Sequence, residues 1–143
     1  MSPVTSKYLI WAVIISAFIG FADAAYLTAV HYLQQVPVCS LLRGCEVVTT
    51  SMYSKILGVP VALLGSLYYL VVLSLSVYVF QKGHRRAVEL LSDLTWCGLI
   101  ASAYFLFLQL FVIGVLCFYC VVSIVTSTII WILCRKRFLS RYE

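Results

Sequence analysis

Charged side chains are scarce in this chain. Only 10% of its 143 residues are Asp, Glu, Lys or Arg, whereas 64% are hydrophobic. A soluble domain needs a largely polar surface, and no part of the sequence is polar over a sufficient length to provide one. Internal repeats and low-complexity linkers are absent as well, so we expect a single unit rather than an array of domains.

Long apolar stretches take the place of a soluble domain. The hydrocarbon core of a bilayer is about 30 Å thick, and a helix crosses it with roughly 20 apolar residues. Four stretches meet this length, at about residues 8–30, 57–80, 94–116 and 117–134. We therefore expect residues 1–143 to form one all-α integral membrane domain, a four-helix bundle. Polar residues are concentrated in two connections that we expect to lie in water, 31–56 and 81–93.

Basic residues give the chain a net charge of +5, but they do not form the single patch that nucleic-acid binding would favour. They lie at alternate helix ends. Eight are predicted on one side of the membrane: Lys7, Lys82, Arg85, Arg86, Arg135, Lys136, Arg137 and Arg141. Arg43 and Lys55 are predicted on the other side. Because cytoplasmic loops are rich in Lys and Arg, both termini are expected in the cytoplasm.

The first apolar stretch has an alternative interpretation as a secretory signal peptide. Lys7, an apolar run and the small residues Ala22 and Ala24 match the layout of such a peptide and its cleavage site. The run continues to Val30, which is longer than a typical signal core. This length favours a retained membrane helix.

Two cysteine pairs are then expected to face the same extracytoplasmic space. Cys39 and Cys45 lie in the first connection, and Cys117 and Cys120 form a CxxC motif at the start of the last helix. Disulfides persist outside the cytoplasm, and a helix N-terminus stabilises a thiolate. Side chains three apart on a helix lie about 5–6 Å apart at Cβ, so the CxxC pair can switch between dithiol and disulfide. The four cysteines are therefore the predicted catalytic residues.

The pairing of these four sulfurs stays open at this point. Three connectivities are possible, and a thiol–disulfide relay needs more than one of them, because exchange proceeds through mixed disulfides. We expect the loop between Cys39 and Cys45 to be flexible at Gly44. The other two cysteines, Cys97 and Cys134, are interpreted as small core or boundary residues.

Three simpler readings compete with redox chemistry. The first is that the four cysteines form two structural disulfides. A bridge between positions three apart in a helix, however, closes too small a loop to stabilise the fold much. A zinc site with the CxxC as half of its ligands is another, and it would need the irregularly spaced loop pair as the other half. Coincidence in a cysteine-rich apolar helix is the third. We expect no metal.

A quinone dissolved in the lipid is the expected electron acceptor, because the site lies at the outer edge of the bilayer. Its ring would lie near Cys120 in a pocket of apolar and aromatic groups. Ile124, one turn further along the same helix face, is a specific candidate. The aromatic candidates, most of which are expected to serve only in packing, are Tyr68, Tyr69, Tyr104, Phe105, Phe107, Phe111 and Phe118.

Polar residues inside apolar helices are costly. Asp23 in the first helix and Gln109 in the third are the clear cases. An acid at this depth supplies protons for quinone reduction or is neutral and hydrogen-bonded within the bundle, and we favour a structural role for both residues. His31 and His84 lie at loop boundaries, where a solvated imidazole is expected.

The order of these motifs resembles the vitamin K epoxide reductase family. A loop cysteine pair is followed by Ser51, six residues after Cys45, then by a Gly-Val-Pro sequence at residues 58–60 that enters a helix, and finally by the CxxC. That helix carries Gly65 and Tyr69. The resemblance spans nearly the whole chain, and it rests on the ordered combination rather than on the CxxC alone.

This resemblance implies a role for each cysteine. Cys120 would react with the quinone, whether menaquinone, ubiquinone or a related molecule, Cys117 would exchange with Cys45, and Cys39 would accept electrons from outside. The implied quinone pocket consists of Ser51, Val61, Leu64, Phe105 and Ile124. In the animal enzymes Asn and Tyr occupy the places of Val61 and Ile124, so the resemblance favours a microbial thiol:quinone oxidoreductase over an epoxide reductase of the animal type.

A separate redox partner is also implied. Many bacterial relatives carry a fused thioredoxin-like domain, and this chain contains none. We expect a thioredoxin-fold, DsbA-like thiol oxidase to dock near Cys39 outside a bacterial or archaeal cytoplasmic membrane. A membrane redox sensor or disulfide-stapled scaffold without turnover is the non-enzymatic alternative.

Overall fold

A computed structural model of the chain describes residues 3–39 and 44–142. Within this part of the chain, four helices are long and apolar enough to cross a membrane. They are α1 (Pro3–Tyr32), α3 (Val61–Lys82), α4 (Arg85–Phe107, prolonged to Ile113) and α5 (Phe118–Tyr142). The predicted all-α membrane bundle is confirmed. Arg43 lies outside the described residues.

Short elements fill the connection between α1 and α3. They are the helix α2 (Cys45–Thr50), a 3₁₀ turn (Met52–Ser54) and the strands β1 (Lys55–Ile56) and β2 (Val59–Pro60). The strands pair antiparallel, with Ile56 opposite Val59. Leu57 and Gly58 between them have φ angles of 51° and 82°. Positive φ at both central residues is the geometry of a type I′ hairpin turn, which matches the twist of the strands it joins.

This hairpin corrects the predicted start of the second membrane helix. The apolar run predicts a helix from about residue 57, whereas α3 begins at Val61. Pro60 is the reason, because the residue before a proline is held in an extended conformation. Pro60 itself lies at the N-cap with ψ of 132°. The proline therefore excludes Val59 from the helix, and the extended ψ of Pro60 makes Val61 the first helical residue.

The prediction of a polar connection over residues 81–93 is also wrong, because the connection is much shorter. α3 continues to Lys82 and α4 starts at Arg85, so only Gly83 and His84 separate them. Gly83 has φ of 62° and its N–H bonds the carbonyl of Val79 at 2.9 Å, as in a left-handed C-cap. Arg85 then pairs with Glu89 at 2.8 Å, one helical turn on. Such i,i+4 pairs allow polar residues to form helix as readily as loop.

The last two predicted helices are separated by a short break. α4 passes into a π-helical turn over Leu108–Ile113, and Gly114 follows in the left-handed region with φ of 75°. α5 starts at Phe118, one residue later than predicted. Residues 114–117 therefore form a non-helical turn that leads directly into the CxxC motif.

Small residues let the helices approach closely. α1 packs along α3 and α5, and α4 packs along α5 and α3. Gly20 of α1 lies against the ring of Tyr69, where a Cβ atom would collide with it, and Gly98 of α4 lies in the same way against Tyr68. Without a hydrophobic driving force inside lipid, such contacts supply much of the packing energy between membrane helices.

A polar cluster joins α3 to α5 in the middle of the bundle. The buried hydroxyl of Tyr69 donates to the carbonyl of Ser123 at 2.8 Å. It also hydrogen-bonds the hydroxyls of Ser123, Thr126 and Ser127 at 2.8–3.0 Å. α1 meanwhile runs without a break through Ala22 and Ala24, and Ala24 is buried in the core. A retained membrane helix, rather than a signal peptide, accounts for this packing.

Candidate functional site

A cavity of about 410 Å³ lies between the membrane helices at the end that carries the cysteines. Its wall is mainly apolar and comes from all four long helices and from the connection between α1 and α3. Cys120 forms part of this wall. All five residues predicted for a quinone pocket line the same cavity: Ser51, Val61, Leu64, Phe105 and Ile124.

The aromatic candidates divide into two groups. Tyr68, Tyr69 and Phe105 line the cavity. The other four are exposed on the outer surface of the bundle and do not line it: Tyr104, Phe107, Phe111 and Phe118. Apart from Phe105, the candidates on α4 and its π-helical turn therefore face outward, as expected of packing or interface aromatics.

Cys117 is the N-cap residue of α5. Its carbonyl accepts the first helical hydrogen bond, from the N–H of Val121 at 3.0 Å. Its sulfur accepts from the N–H groups of Tyr119 and Cys120, the second and third residues of the helix. A capping side chain makes these same bonds, and here the acceptor is a sulfur. The helix N-terminus predicted to support a thiolate is therefore in place.

These contacts change the acidity of Cys117. The thiol of Cys120 donates a hydrogen bond to the Cys117 sulfur, and this bond, together with the two backbone N–H groups, lowers the pKa of Cys117. Burial acts in the opposite direction, since Cys117 is fully buried. The resulting pKa is about 7, against an ordinary value of 9.0. These contacts therefore favour the thiolate form of Cys117.

Gln109 holds the turn that precedes this cap. Its side chain is 2% exposed, and its Oε1 accepts from the N–H of Cys117 at 3.0 Å. The side chain also hydrogen-bonds the sulfur of Cys120. Because the amide oxygen is used by the N–H of Cys117, the amide NH₂ is the group left to donate to sulfur. Gln109 therefore contacts both cysteines of the motif, and the structural role predicted for it stays a prediction.

The loop cysteines form a disulfide, Cys39–Cys45, whose Cα atoms lie 6.2 Å apart. Cys45 is fully buried, whereas Cys39 is partly exposed. Cys117 and Cys120 are not joined in a disulfide. Of the connectivities left open by the sequence, the described residues thus show the loop pair oxidised and the CxxC pair as thiols.

Two contacts hold the loop disulfide beside the CxxC motif. Gly44 lies against the backbone of Leu116, so close that a Cβ atom at position 44 would collide with the Leu116 carbonyl. On the other side, the hydroxyl of Tyr119 donates to the carbonyl of Val38 at 2.7 Å. Gly44 has an ordinary φ of −83°, so close approach, rather than the predicted flexibility, accounts for the glycine.

A comparison with known protein families agrees with this arrangement. The sequence profile of the vitamin K epoxide reductase family matches residues 11–134, which is most of the chain. The chain belongs to this family. No curated protein matches the chain. Members of the vitamin K epoxide reductase family are membrane thiol–disulfide oxidoreductases that use a quinone as electron acceptor and generally work with thioredoxin-like partners.

Several contacts of this vitamin K epoxide reductase homologue were not predicted from the sequence. The rings of Tyr26 and Tyr119 are in contact, with centroids 5.2 Å apart and planes tilted by 38°. Val38 donates its N–H to the hydroxyl of Tyr26 at 3.4 Å, and its carbonyl accepts from the hydroxyl of Tyr119. Tyr119 lies between the two cysteines of the motif, which was the signal available in the sequence. Tyr26 carried no such signal, because it is one of 10 tyrosines in the chain.

The competing readings of the cysteines can be set against the same geometry. Only one of two expected structural disulfides is formed among the described cysteines. In the described part of the chain, no group of three or more His, Cys, Asp or Glu side chains is arranged to hold a metal ion. Cys134 is buried, as expected of a core residue, whereas Cys97 is exposed and borders the cavity.

Proposed function

We propose that this protein is a thiol:quinone oxidoreductase that supports disulfide bond formation. Electrons would pass from the dithiol of an extracytoplasmic thioredoxin-fold partner to Cys39–Cys45, from there to Cys117–Cys120, and finally to a quinone in the cavity. The family supports the reaction class. The electron order and the partner are proposals from the positions of the four cysteines.

One observation carries this proposal: the thiols of the CxxC motif connect the loop disulfide to the cavity. Cys120 lines the cavity, and Cys117 is buried at the turn against which the loop packs. A volume of about 410 Å³ falls within the range of small-molecule pockets and is sufficient for a quinone ring. Leu64 is 43% exposed at the edge of this cavity, where an isoprenoid tail could leave for the lipid.

The chemistry of each transfer is an exchange of two electrons. A partner thiolate attacks Cys39, the more exposed sulfur of the loop disulfide, and Cys45 leaves as a thiolate. The partner's second thiolate then releases Cys39 and closes the partner's own disulfide. Next, Cys45 attacks Cys117 of the oxidised CxxC motif and Cys120 leaves, after which Cys39 attacks Cys45, re-forms the loop disulfide and releases Cys117. Quinone then reoxidises the Cys117–Cys120 dithiol and becomes the quinol. Each 30 mV of potential difference contributes about 1.4 kcal/mol to this two-electron couple.

The proposed orientation places both termini in the cytoplasm. The end of the bundle with the α3–α4 turn carries Lys82, Arg85 and Arg86, and the end with the cysteines carries Lys55 among the described residues. A bacterial or archaeal cytoplasmic membrane with the active site outside accounts for this asymmetry. The partner, a DsbA-like thiol oxidase, would dock on the segment before Cys39, where Val36 and Val38 are 58% and 75% exposed.

Epoxide reduction is less well supported. Val61 and Ile124 line the cavity, and neither side chain can hydrogen-bond an epoxide or quinone oxygen. Polar contacts to a substrate must therefore come from other residues of the wall.

The test is an absorbance assay of quinone reduction by the purified protein, with dithiothreitol as electron donor and a short-tailed ubiquinone as acceptor. We expect turnover in the wild type and none in Cys120→Ala. Cys134→Ala is the matched control, because it removes a buried thiol at the opposite end of α5. Turnover that persists in Cys120→Ala, or is absent from the wild type, would contradict the proposal.

A further inference from the structure

Two buried polar atoms of the cavity wall have no hydrogen-bond partner among the described residues. They are Oδ2 of Asp23 on α1 and the hydroxyl of Tyr68 on α3. Buried polar groups are nearly always hydrogen-bonded, and leaving one unpaired costs about 1–3 kcal/mol. Both residues line the same apolar cavity, and a rotation of either side chain toward it would let a bound molecule supply the missing partner.

The helix packing places these two residues at neighbouring depths in the bilayer. Ala24 of α1 lies 3.6 Å from the Cβ position of Gly65 of α3, and Gly20 lies against Tyr69. α1 and α3 run in opposite directions, so Asp23 lies nearer the cysteines than Tyr68 does. Asp23 is also close enough to interact electrostatically with Cys117 and Cys120. The order along the cavity is therefore the thiols, then Asp23, then Tyr68.

A quinone head group has the complementary chemistry. Its two carbonyl oxygens are acceptors on opposite sides of an apolar ring, and each needs a donor when the ring leaves water. Resting on the proposed function, we propose that Tyr68 donates to one quinone oxygen and that Asp23 binds the other and passes it a proton from the thiols.

The reaction balances with Asp23 as an intermediate carrier. Cys117 and Cys120 together lose two electrons and two protons as their S–S bond forms, and the quinone gains both electrons. Asp23 takes the proton of one thiol and gives it to the nearer oxygen, so its carboxylate is restored. The second oxygen takes its proton from the other thiol, or from water when Cys117 is already the thiolate, and this completes the quinol.

Binding is measured first, on protein whose Cys117–Cys120 pair has been oxidised so that no turnover occurs. The probe is a short-tailed ubiquinone with ¹³C at its carbonyl carbons, observed by infrared spectroscopy. We expect both carbonyl bands to shift to lower frequency on binding. In Tyr68→Phe one band should return to its free position and quinone affinity should fall about fivefold to tenfold, the loss of one neutral hydrogen bond.

Loss of the acid should affect the rate more than the binding. In Asp23→Asn we expect quinone reduction by the pre-reduced protein to slow by about 100-fold, as for other positioned acids and bases, with a much smaller change in affinity. Asp23→Glu keeps the acid and should recover part of the rate. Thermal unfolding of Tyr68→Phe should match the wild type, because the hydroxyl it removes has no protein partner.

Matched controls make the same chemical changes outside the cavity. They are Asp93→Asn, at an exposed position on α4, and Tyr104→Phe, whose ring is 54% exposed. Neither should alter the infrared bands or the rate. Quinone bands and rates unchanged in Tyr68→Phe and Asp23→Asn would overturn this assignment and leave the proposed function intact. A wild-type protein that binds no quinone would overturn both.

Discussion

The two cysteine pairs have the same layout but face different media. Each pair contains one fully buried sulfur, Cys45 in the loop and Cys117 at the cap of α5. Each also contains a more accessible sulfur, because Cys39 is partly exposed in the loop and Cys120 borders the cavity. Under the proposed function, the accessible sulfurs lie where the reagents arrive, from water in one case and from lipid in the other. The buried sulfurs lie where the two pairs meet.

The surroundings of the two pairs differ more than their layout does. The CxxC pair lies at the start of a long helix. The Cys117 sulfur accepts hydrogen bonds from two backbone N–H groups and from the Cys120 thiol, and Gln109 hydrogen-bonds the Cys120 sulfur. The loop pair lies between a six-residue helix on one side and the irregular segment before Cys39 on the other. The contacts around the CxxC pair can therefore change the pKa of Cys117. The position of the loop pair depends instead on its contacts with the CxxC turn.

The largest effect is expected when a variant of the loop pair is assayed with two electron donors of different size, a protein and a small dithiol. Cys39→Ala should reduce quinone reduction driven by a thioredoxin-fold protein dithiol at least 100-fold, because the attacked sulfur is missing. The same variant should keep most of the turnover driven by a small membrane-permeant dithiol. Cys117→Ala should lose both activities. Equal losses with both donors in Cys39→Ala would contradict the electron order.

The next effect concerns the acidity of the rigid pair. The Cys120 thiol is the main cause of the lowered pKa of Cys117, so Cys120→Ala should raise that pKa from about 7 toward 9.0. Thiolate forms above the pKa, and alkylation at pH 7 should therefore fall by roughly tenfold or more. Iodoacetamide labelling of Cys117 across pH, read by mass spectrometry, measures this. A midpoint that stays near 7 would show that the backbone N–H groups suffice.

A smaller effect is expected from the amide that supports the CxxC turn. Gln109→Leu leaves the buried N–H of Cys117 without its acceptor, which should lower the free energy of unfolding by about 1–3 kcal/mol. The measurement is thermal or denaturant unfolding in detergent. Gln81→Leu, an exposed position near the end of α3, is the matched control and should change stability by less than about 0.5 kcal/mol. Equal stability of the two variants would rule out the proposed support.

The smallest effect tests the contact between the pairs. Tyr119→Phe removes the bond to the Val38 carbonyl, worth about 0.5–1.5 kcal/mol for a neutral hydrogen bond. Rapid-mixing measurements should show electron transfer from the loop pair to the CxxC pair slowed by a few-fold, with reduction by a small dithiol unchanged. A slowdown with both donors would place the role of Tyr119 at the quinone instead.

The membrane helices were predictable because a span needs only length and apolar composition, which the sequence shows directly. Their ends were not. Pro60 makes α3 start later than the apolar run predicts. The ion pair of Arg85 and Glu89 lies in a polar segment that was predicted as a loop and forms the start of α4. Gly114 ends the π-helical turn before the CxxC motif. These boundaries depend on single residues, whereas a membrane span is recognised from the mean hydropathy of about 20 residues.

The geometry of the candidate site was predictable in part, because Cys120 and the five residues named from the family resemblance line one cavity. Their roles in catalysis and binding stay predictions. The partners of those residues could not be predicted. Gln109 reaches Cys117 across eight positions of sequence, and Val38 reaches Tyr119 across 81. Such contacts follow from how α4 and the loop pack against α5, and no local pattern encodes that packing. The polar character of Gln109 marked it as important without indicating what it binds.

The π-helical turn of Leu108–Ile113 can be regarded as an α-helix with one inserted residue. A π-turn accommodates the extra residue by widening one turn, because its N–H groups bond carbonyls five residues back instead of four. Such turns occur often at functional sites. The widened turn contains Gln109, whose amide oxygen accepts from the N–H of Cys117. The support of the CxxC turn at the start of α5 thus comes from an irregularity in the preceding helix.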